Sequence, residues 1–177
     1  DCAVGLKNPT SGSIEIGVNS VVAAQHPHTA VLDGHEVRTH GNPYAHLVLR
    51  GGENGPNYRP EDLAKALSEM KKHAIKNPSL VVDVSHDNAK VGGVKEAKNQ
   101  VEAVHEILTT LKDRPEFRPL VKGFMIESFI KEGCQKVSAS HPEALDRGGL
   151  SITDPCLGWD TSEGLLTELA EFKRTYD

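Results

Sequence analysis

Residues 80–88 read Leu-Val-Val-Asp-Val-Ser-His-Asp-Asn, and this stretch decides the fold class. A short apolar run rich in β-branched residues predicts a buried strand. The polar cluster that ends it holds side chains able to bind a metal or move a proton. Because ligands of parallel α/β sheets bind just beyond the carboxyl ends of the strands, the stretch predicts a site at that end.

Other short apolar runs of the chain end in the same way. One runs into Lys7, a second into Arg50 and a third into Glu127. In a parallel sheet these strand ends lie along one edge. We therefore expect two cations, an imidazole from His86 and a carboxylate to converge on one rim.

Apolar residues at helical spacing follow each predicted strand. The helices are expected to begin near Ser13, Pro60, Val94 and Asp160. Strands that alternate with amphipathic helices predict an α/β protein with a parallel sheet covered on both faces, either doubly wound or a barrel. A (β/α)8 TIM barrel takes about 250 residues, so four βα units correspond to half of one.

Two further segments carry structural expectations. Asp33-Gly34 separates two short extended runs, which predicts an inserted β-hairpin. Trp159, just before the last helix, is expected to anchor in the core and not to serve as a cofactor platform, and the packed side of that helix is expected to be formed by Leu165, Leu166, Leu169 and Phe172.

Composition narrows the class of partner. The chain has 177 residues, a formal net charge of -5 and scattered Lys and Arg residues, which argues against a nucleic-acid or membrane-surface partner. The three cysteines, Cys2, Cys134 and Cys156, form no Cys-x-x-Cys pair and predict neither a disulfide framework nor a zinc knuckle. A reducing cytoplasm is the expected compartment, and no apolar run approaches the ~18 residues of a membrane span.

His86, Glu127 and Asp154 are the candidate metal ligands. One imidazole with two carboxylates suits a divalent ion of borderline hardness, such as manganese, iron, cobalt or zinc. Such an ion would polarise a carbonyl group. The alternative is that His86 only bonds a neighbouring loop and that the two carboxylates are ordinary rim or capping residues.

Lys7 and Arg50 are the candidate anion-binding residues. Arg50 precedes Gly51-Gly52, where the lack of Cβ atoms lets a phosphate or carboxylate approach the backbone. The alternative is that Arg50 pairs with a carboxylate of the protein. Asp83 lies inside a predicted strand and needs a partner, for which a basic side chain on an adjacent strand is expected.

Five ordered motifs resemble one known family, the carboxyl half of type I 3-deoxy-D-arabino-heptulosonate 7-phosphate (DAHP) synthase. The resemblance covers essentially the whole chain, and its motifs are Gly5-Leu6-Lys7-Asn8, Leu49-Arg50-Gly51-Gly52 with Pro56-Asn57-Tyr58, Asp83-Val84-Ser85-His86-Asp87-Asn88, Met125-Ile126-Glu127-Ser128 with Glu132-Gly133-Cys134-Gln135, and residues 151–159 from Ser151 to Trp159.

This resemblance implies a metal-dependent aldol-type condensation of phosphoenolpyruvate with erythrose 4-phosphate, the first step of the shikimate route to aromatic amino acids. It implies that His86, Glu127 and Asp154 bind the metal. It also implies that Lys7 and Arg50 bind phosphoenolpyruvate and that Asp154 contacts the sugar. Lys7 and His86 are the expected catalytic residues, and the hairpin is the expected site of an aromatic amino acid inhibitor.

The chain departs from the family in length. A fourth metal ligand and further phosphate-binding residues of the family lie in an amino-terminal half that residues 1–177 do not include. We therefore expect a half-barrel completed by that half or by a second copy. Two alternatives remain: an enzyme similar to 3-deoxy-octulosonate 8-phosphate synthase, and a non-catalytic half-barrel that acts as an interaction or inhibitor-binding module.

Overall fold

The computed structural model describes residues 2–176. Its β-strands and α-helices are, in chain order, β1 (Val4–Lys7), α1 (Ile14–Gln25), β2 (Thr29–Leu32), β3 (His35–Arg38), β4 (Ala45–Leu49), α2 (Pro60–Lys72), β5 (Leu80–Asp83), β6 (Lys90–Val91), β7 (Val94–Lys95), α3 (Asn99–Asp113), β8 (Val121–Met125) and α4 (Trp159–Tyr176).

The central sheet has four parallel strands in the order β1-β4-β5-β8. Each of its four strands is followed along the chain by one of the helices α1 to α4. This arrangement confirms the predicted α/β class and fits a fragment of an α/β barrel. The strands described between residues 2 and 176 form an open sheet and no closed barrel.

Burial falls from the middle of the sheet to its two edges. Most apolar side chains of β4 and β5 are almost fully enclosed, with Leu47, Leu49 and Val82 at 0% exposure. The edge strands are more open, and Val4 on β1 and Met125 on β8 are 39% and 40% exposed. Strands β4 and β5 are buried because each has a neighbour on both sides, whereas β1 and β8 each present an unpaired edge.

Helices α1, α2 and α3 supply most of the remaining core. Each turns a stripe of apolar residues toward the sheet, and burying one such side chain contributes about 1.5–3 kcal/mol. Local signals fix where the first two begin: the Ser13 side chain accepts a hydrogen bond from the Ile16 amide, and Pro60 opens α2. The buried members of the stripes include Ile14, Val18, Val21, Leu63, Ala66, Met70, Val104 and Ile107.

The predicted hairpin is confirmed. Strands β2 and β3 pair antiparallel around Asp33-Gly34, and both turn residues have positive φ, 51° and 79°. All residues of both strands are exposed.

A second, shorter hairpin was not predicted. Val94 was expected to open a helix, but it lies in β7, which pairs antiparallel with β6. Gly92 and Gly93 form the turn with φ of 59° and 83°, a conformation that suits glycine. Helix α3 therefore begins five residues later, at Asn99.

Two expectations for the last helix were wrong. Trp159 is 64% exposed and Leu166 is 60% exposed, whereas Leu165 alone of the described α4 residues is buried. The reason is that β8 is the edge strand, and the described residues place no further strand or helix beyond it. Among residues 2–176, no helix has the length and apolar character to span a bilayer.

Candidate active site

The carboxyl ends of the four parallel strands carry the chemistry-bearing side chains. Lys7 ends β1, Arg50 follows β4, Asp83 ends β5 and Glu127 lies two residues beyond β8. Because the strands run in the same direction, all four residues lie along one rim of the sheet.

Three of the predicted site residues form one group that could hold a metal ion. One ligand atom from each of His86, Glu127 and Asp154 lies within 4.8 Å of the others, and the His86 Nε2 atom is 3.7 Å from the Glu127 Oε1 atom. An imidazole nitrogen and two carboxylate oxygens are donors that suit a divalent transition metal. All three residues are half-buried, so the group is open on one side to a further ligand.

His86 is held in an unusual backbone conformation. It opens the 3-10 turn His86–Ala89 with a φ of 47°, which is sparsely populated for a residue with a Cβ atom. Its Nδ1 atom lies 2.8 Å from the Asp83 Oδ2 atom, in close contact although outside hydrogen-bonding alignment. A carboxylate beside Nδ1 leaves Nε2 for a metal, as is common for ligating histidines.

Asp83 connects the candidate anion-binding residue Lys7 with the candidate metal ligand His86. Its fully buried carboxylate accepts a hydrogen bond from the Lys7 ammonium at 2.7 Å and another from the Ser85 amide at 3.0 Å. The expected basic partner is therefore present, but it lies two strands away, on β1, and not on an adjacent strand. Lys7 and His86 are thus linked through one carboxylate.

Arg50 contacts a different carboxylate. Its Nη1 atom lies 3.1 Å from the Asp87 Oδ2 atom, and Lys90 contacts the other oxygen of Asp87 at 2.5 Å. The Lys90 ammonium, helped by Arg50, holds the pKa of Asp87 below its usual value. The pairing considered as an alternative for Arg50 is present in this structure.

Three buried asparagines fix the backbone around Arg50. The side-chain Oδ1 atom of Asn8 accepts from the Arg50 backbone amide and from the Asn57 side chain, and the side-chain Oδ1 atom of Asn57 accepts from the Gly51 backbone amide. Asn88 accepts from the Asn57 amide and donates to the carbonyl oxygens of Leu49 and Asp83. Sequence reasoning quoted these asparagines within motifs but assigned them no role.

Gln100 positions the segment that carries Glu127. Its fully buried side chain accepts from the Glu127 amide at 2.8 Å and donates to the Glu127 carbonyl oxygen at 3.1 Å. Sequence reasoning missed this residue, because a glutamine on the apolar face of a helix gives no signal of the strand end that it faces.

Lys95 is the second residue that sequence reasoning missed. Its ammonium lies 2.9 Å from the Asp154 Oδ2 atom and 3.3 Å from the Glu127 Oε2 atom. The hydrogen bond from Lys95 is the main reason that the pKa of Asp154 is lowered. Only the unpredicted β6–β7 hairpin brings this lysine to the rim.

Comparison with known proteins identifies the family. The model of the DAHP synthetase I family matches residues 1–167. This chain belongs to that family. It is 38% identical over 175 residues to a Trp-sensitive phospho-2-dehydro-3-deoxyheptonate aldolase of Enterobacter agglomerans, and 37% identical over 171 residues to a Tyr-sensitive one of Salmonella typhimurium.

The DAHP synthetase I relatives are about twice as long as this chain. The alignments cover 96% and 94% of this chain but 47% and 45% of those two relatives. A solved phospho-2-dehydro-3-deoxyheptonate aldolase of Francisella tularensis superposes with a TM-score of 0.84 and 28% identity, over 99% of this chain and 49% of that one. The open sheet is therefore about half of the family's fold.

Proposed function

We propose that residues 1–177 are the carboxyl-terminal half of a single TIM-barrel domain of a DAHP synthase, which condenses phosphoenolpyruvate with erythrose 4-phosphate. The observation that carries the proposal is the grouping of His86, Glu127 and Asp154 on the rim that also carries Lys7 and Arg50. The relatives named above are phospho-2-dehydro-3-deoxyheptonate aldolases, and this favours the proposed reaction over that of the 3-deoxy-octulosonate 8-phosphate synthases.

The charges of the rim suit the two substrates. Lys7 and Arg50 are the cations that would bind the phosphate and carboxylate groups of phosphoenolpyruvate. Arg50 can bind such a group bidentately once its contact with the Asp87 carboxylate is broken. Asp154, the most exposed of the three metal-group residues, is placed to contact sugar hydroxyls. Fixing both substrates on one rim brings the enol carbon to the aldehyde carbon that it attacks.

A divalent metal is the proposed cofactor, held by His86, Glu127 and Asp154. When bound, it supplies Lewis-acid polarisation of the aldehyde oxygen. The mixed nitrogen and oxygen donors suit manganese, iron, cobalt or zinc. Asp83 would keep the His86 ring oriented with Nε2 toward the ion, and Gln100 would fix the backbone of Glu127.

We also propose an aromatic amino acid as inhibitor, bound at the β2–β3 hairpin. The relatives named above are described as Trp-sensitive and Tyr-sensitive, and the hairpin is fully exposed. The test is equilibrium binding of phenylalanine, tyrosine and tryptophan to the complete protein and to a Val31→Asp variant. If neither protein binds any of the three amino acids, this part of the proposal is contradicted.

The proposed partner in the assembly is the amino-terminal half of the barrel or a second copy of this chain. It would cover a 690 Å³ pocket beside β8 and α4, lined by Phe124, Ile126, Trp159 and Leu166 among others.

A reducing cytoplasm is the proposed compartment, supported by Cys2, Cys134 and Cys156, all free thiols.

Loss of phosphoenolpyruvate on adding erythrose 4-phosphate and manganese tests the activity. We expect turnover when this chain is combined with an amino-terminal half from the family, and a fall of at least ~100-fold in a His86→Ala variant. The matched control is His105→Ala, because His105 lies on the exposed side of α3, where it pairs with Glu168. Turnover that survives His86→Ala contradicts the proposed site, and absence of turnover in every combination favours a non-catalytic module.

A further inference from the structure

Lys95 occupies the position between the two carboxylates of the metal group. Its side chain is 15% exposed, whereas those of the neighbouring Lys90 and Lys98 are 46% and 68% exposed. It contacts both Glu127 and Asp154, while Lys98 pairs with Glu96 in solvent. The half-buried ammonium is thus aimed at the group and is not one of the solvated charges of the surface.

The β6–β7 hairpin is what holds the lysine there. Lys90 and Lys95 face each other as the end pair of the hairpin, and Gly92-Gly93 close it. The tip is exposed, with Val91 at 65% and Val94 at 57%, so its apolar side chains gain little from this position. Within the described structure the hairpin therefore makes two ion-pair contacts to the rim: Lys90 contacts Asp87, and Lys95 contacts the two carboxylates of the metal group.

Charge decides what happens when a divalent ion enters the group. The two carboxylates and the one ammonium together carry a net charge of about -1, and the ammonium offsets the repulsion between Glu127 and Asp154. Metal–oxygen bonds are about 2.0–2.2 Å long, so an ion bound by either contacted oxygen would lie within ~5.5 Å of the Lys95 ammonium. Two cations at that distance repel, and both interact with the same two carboxylates.

We propose that Lys95 is an internal cation that holds Glu127 and Asp154 in the metal-free protein and is displaced when a divalent ion binds. It lowers the metal affinity of the site while keeping the two carboxylates in place for the ion. The flexible four-carbon stem and the two-glycine turn allow the ammonium to leave without movement of the sheet. This inference rests on the metal centre proposed above.

The test is a titration of the 177-residue chain with cobalt(II), followed by calorimetry and by the visible absorption of bound cobalt. We expect Lys95→Met to bind cobalt about tenfold more tightly than the unchanged chain, because the competing cation is gone. We also expect metal-free Lys95→Met to melt at a lower temperature than the metal-free unchanged chain. Its melting temperature should then rise further on adding cobalt than that of the unchanged chain. Lys95→Arg keeps the charge and should stay within about threefold of the unchanged chain.

Lys98→Met is the matched control, because it removes a nearby positive charge that does not contact the carboxylates. Its cobalt affinity should be within about twofold of that of the unchanged chain. Equal or weaker binding by Lys95→Met overturns the inference, since it would mean that Lys95 is indifferent to the ion or helps to hold it. If the unchanged chain and Lys95→Met both bind no cobalt, the proposed metal centre fails and this inference fails with it.

Discussion

At the scale of single residues, the site depends on side chains that meet only through the fold. Asp83 touches both Lys7 and His86, although the three residues come from two strands and a turn. A buried carboxylate with two cationic or polar neighbours is stable only while those neighbours remain. The residues around the proposed ligands therefore affect both stability and binding.

Asp83→Asn is expected to weaken cobalt binding about 10- to 100-fold, because the amide can no longer orient the His86 ring as a carboxylate does. It should also lower the free energy of unfolding by about 1–3 kcal/mol, since the Lys7 ammonium loses its partner. Cobalt titration and urea denaturation measure the two effects. Asp113→Asn, at the exposed end of α3, is the control. An unchanged cobalt affinity in Asp83→Asn contradicts its role beside His86.

Asn57→Ala is expected to lower the free energy of unfolding by about 2–5 kcal/mol, because it leaves the Gly51 amide and Asn8 with unmet hydrogen bonds in a buried site. The measurement is the urea midpoint at an unchanged slope. Asn54→Ala, at an exposed position of the same loop, should change stability by less than about 0.5 kcal/mol. A similar small effect in both variants would show that the asparagine network contributes little.

At the scale of elements, contacts between neighbouring helices make smaller contributions to the stability of the fold. Lys65 on α2 donates to Glu15 on α1 at 2.8 Å, and this hydrogen bond lowers the pKa of Glu15 from 4.5 to about 2. Because the folded-state pKa lies below the unfolded value, the pair stabilises the protein above pH 4.5. That stabilisation is lost as the pH falls from 4.5 toward 2.

Glu15→Gln should therefore reduce the loss of stability between pH 4.5 and 2. Both side chains are about half exposed, so solvent screening limits the effect to about 0.2–1 kcal/mol. Urea denaturation at a series of pH values makes the measurement. Glu36→Gln, on the exposed strand β3, is the control for loss of a negative charge. If the free energy of unfolding falls by the same amount between pH 4.5 and 2 with and without Glu15, the Glu15–Lys65 pair does not contribute this stabilisation.

At the scale of the whole molecule, the sheet is open along β1 and β8, and apolar surface follows the second edge. Trp159, Leu166 and Met125 are all at least 40% exposed on this side. Burying this surface against another part of a barrel would contribute about 25 cal/mol for each Å² of apolar area. We expect association there with the complementary half or with a second copy.

Trp159 gives a direct probe of this association, because it is the single tryptophan of the chain. Its emission should shift to shorter wavelength when a tryptophan-free amino-terminal half is added, or with rising concentration of the chain alone. Leu166→Glu should weaken the association about tenfold or more, since a charge would enter an apolar contact. Val137→Glu, in an exposed loop, is the matched control. Emission that never shifts would place the partner elsewhere.

The sequence alone determined the α/β class, the βα order, the Asp33-Gly34 hairpin and the polar residues at the strand ends. These features follow from local periodicity, turn chemistry and the burial of short β-branched runs, all of which are properties of neighbouring residues. The family motifs were visible for the same reason, because each is a short contiguous stretch.

Only the tertiary structure decided which side chains meet. Asp83 pairs with Lys7 across an intervening strand, Gln100 reaches Glu127 from another element, and Lys95 arrives on a two-glycine hairpin that interrupts a helical pattern. Trp159 is exposed because the sheet ends at β8 and not because of its own neighbours in sequence. Contacts between distant segments depend on how the strands pack side by side, and local sequence patterns carry no record of that packing.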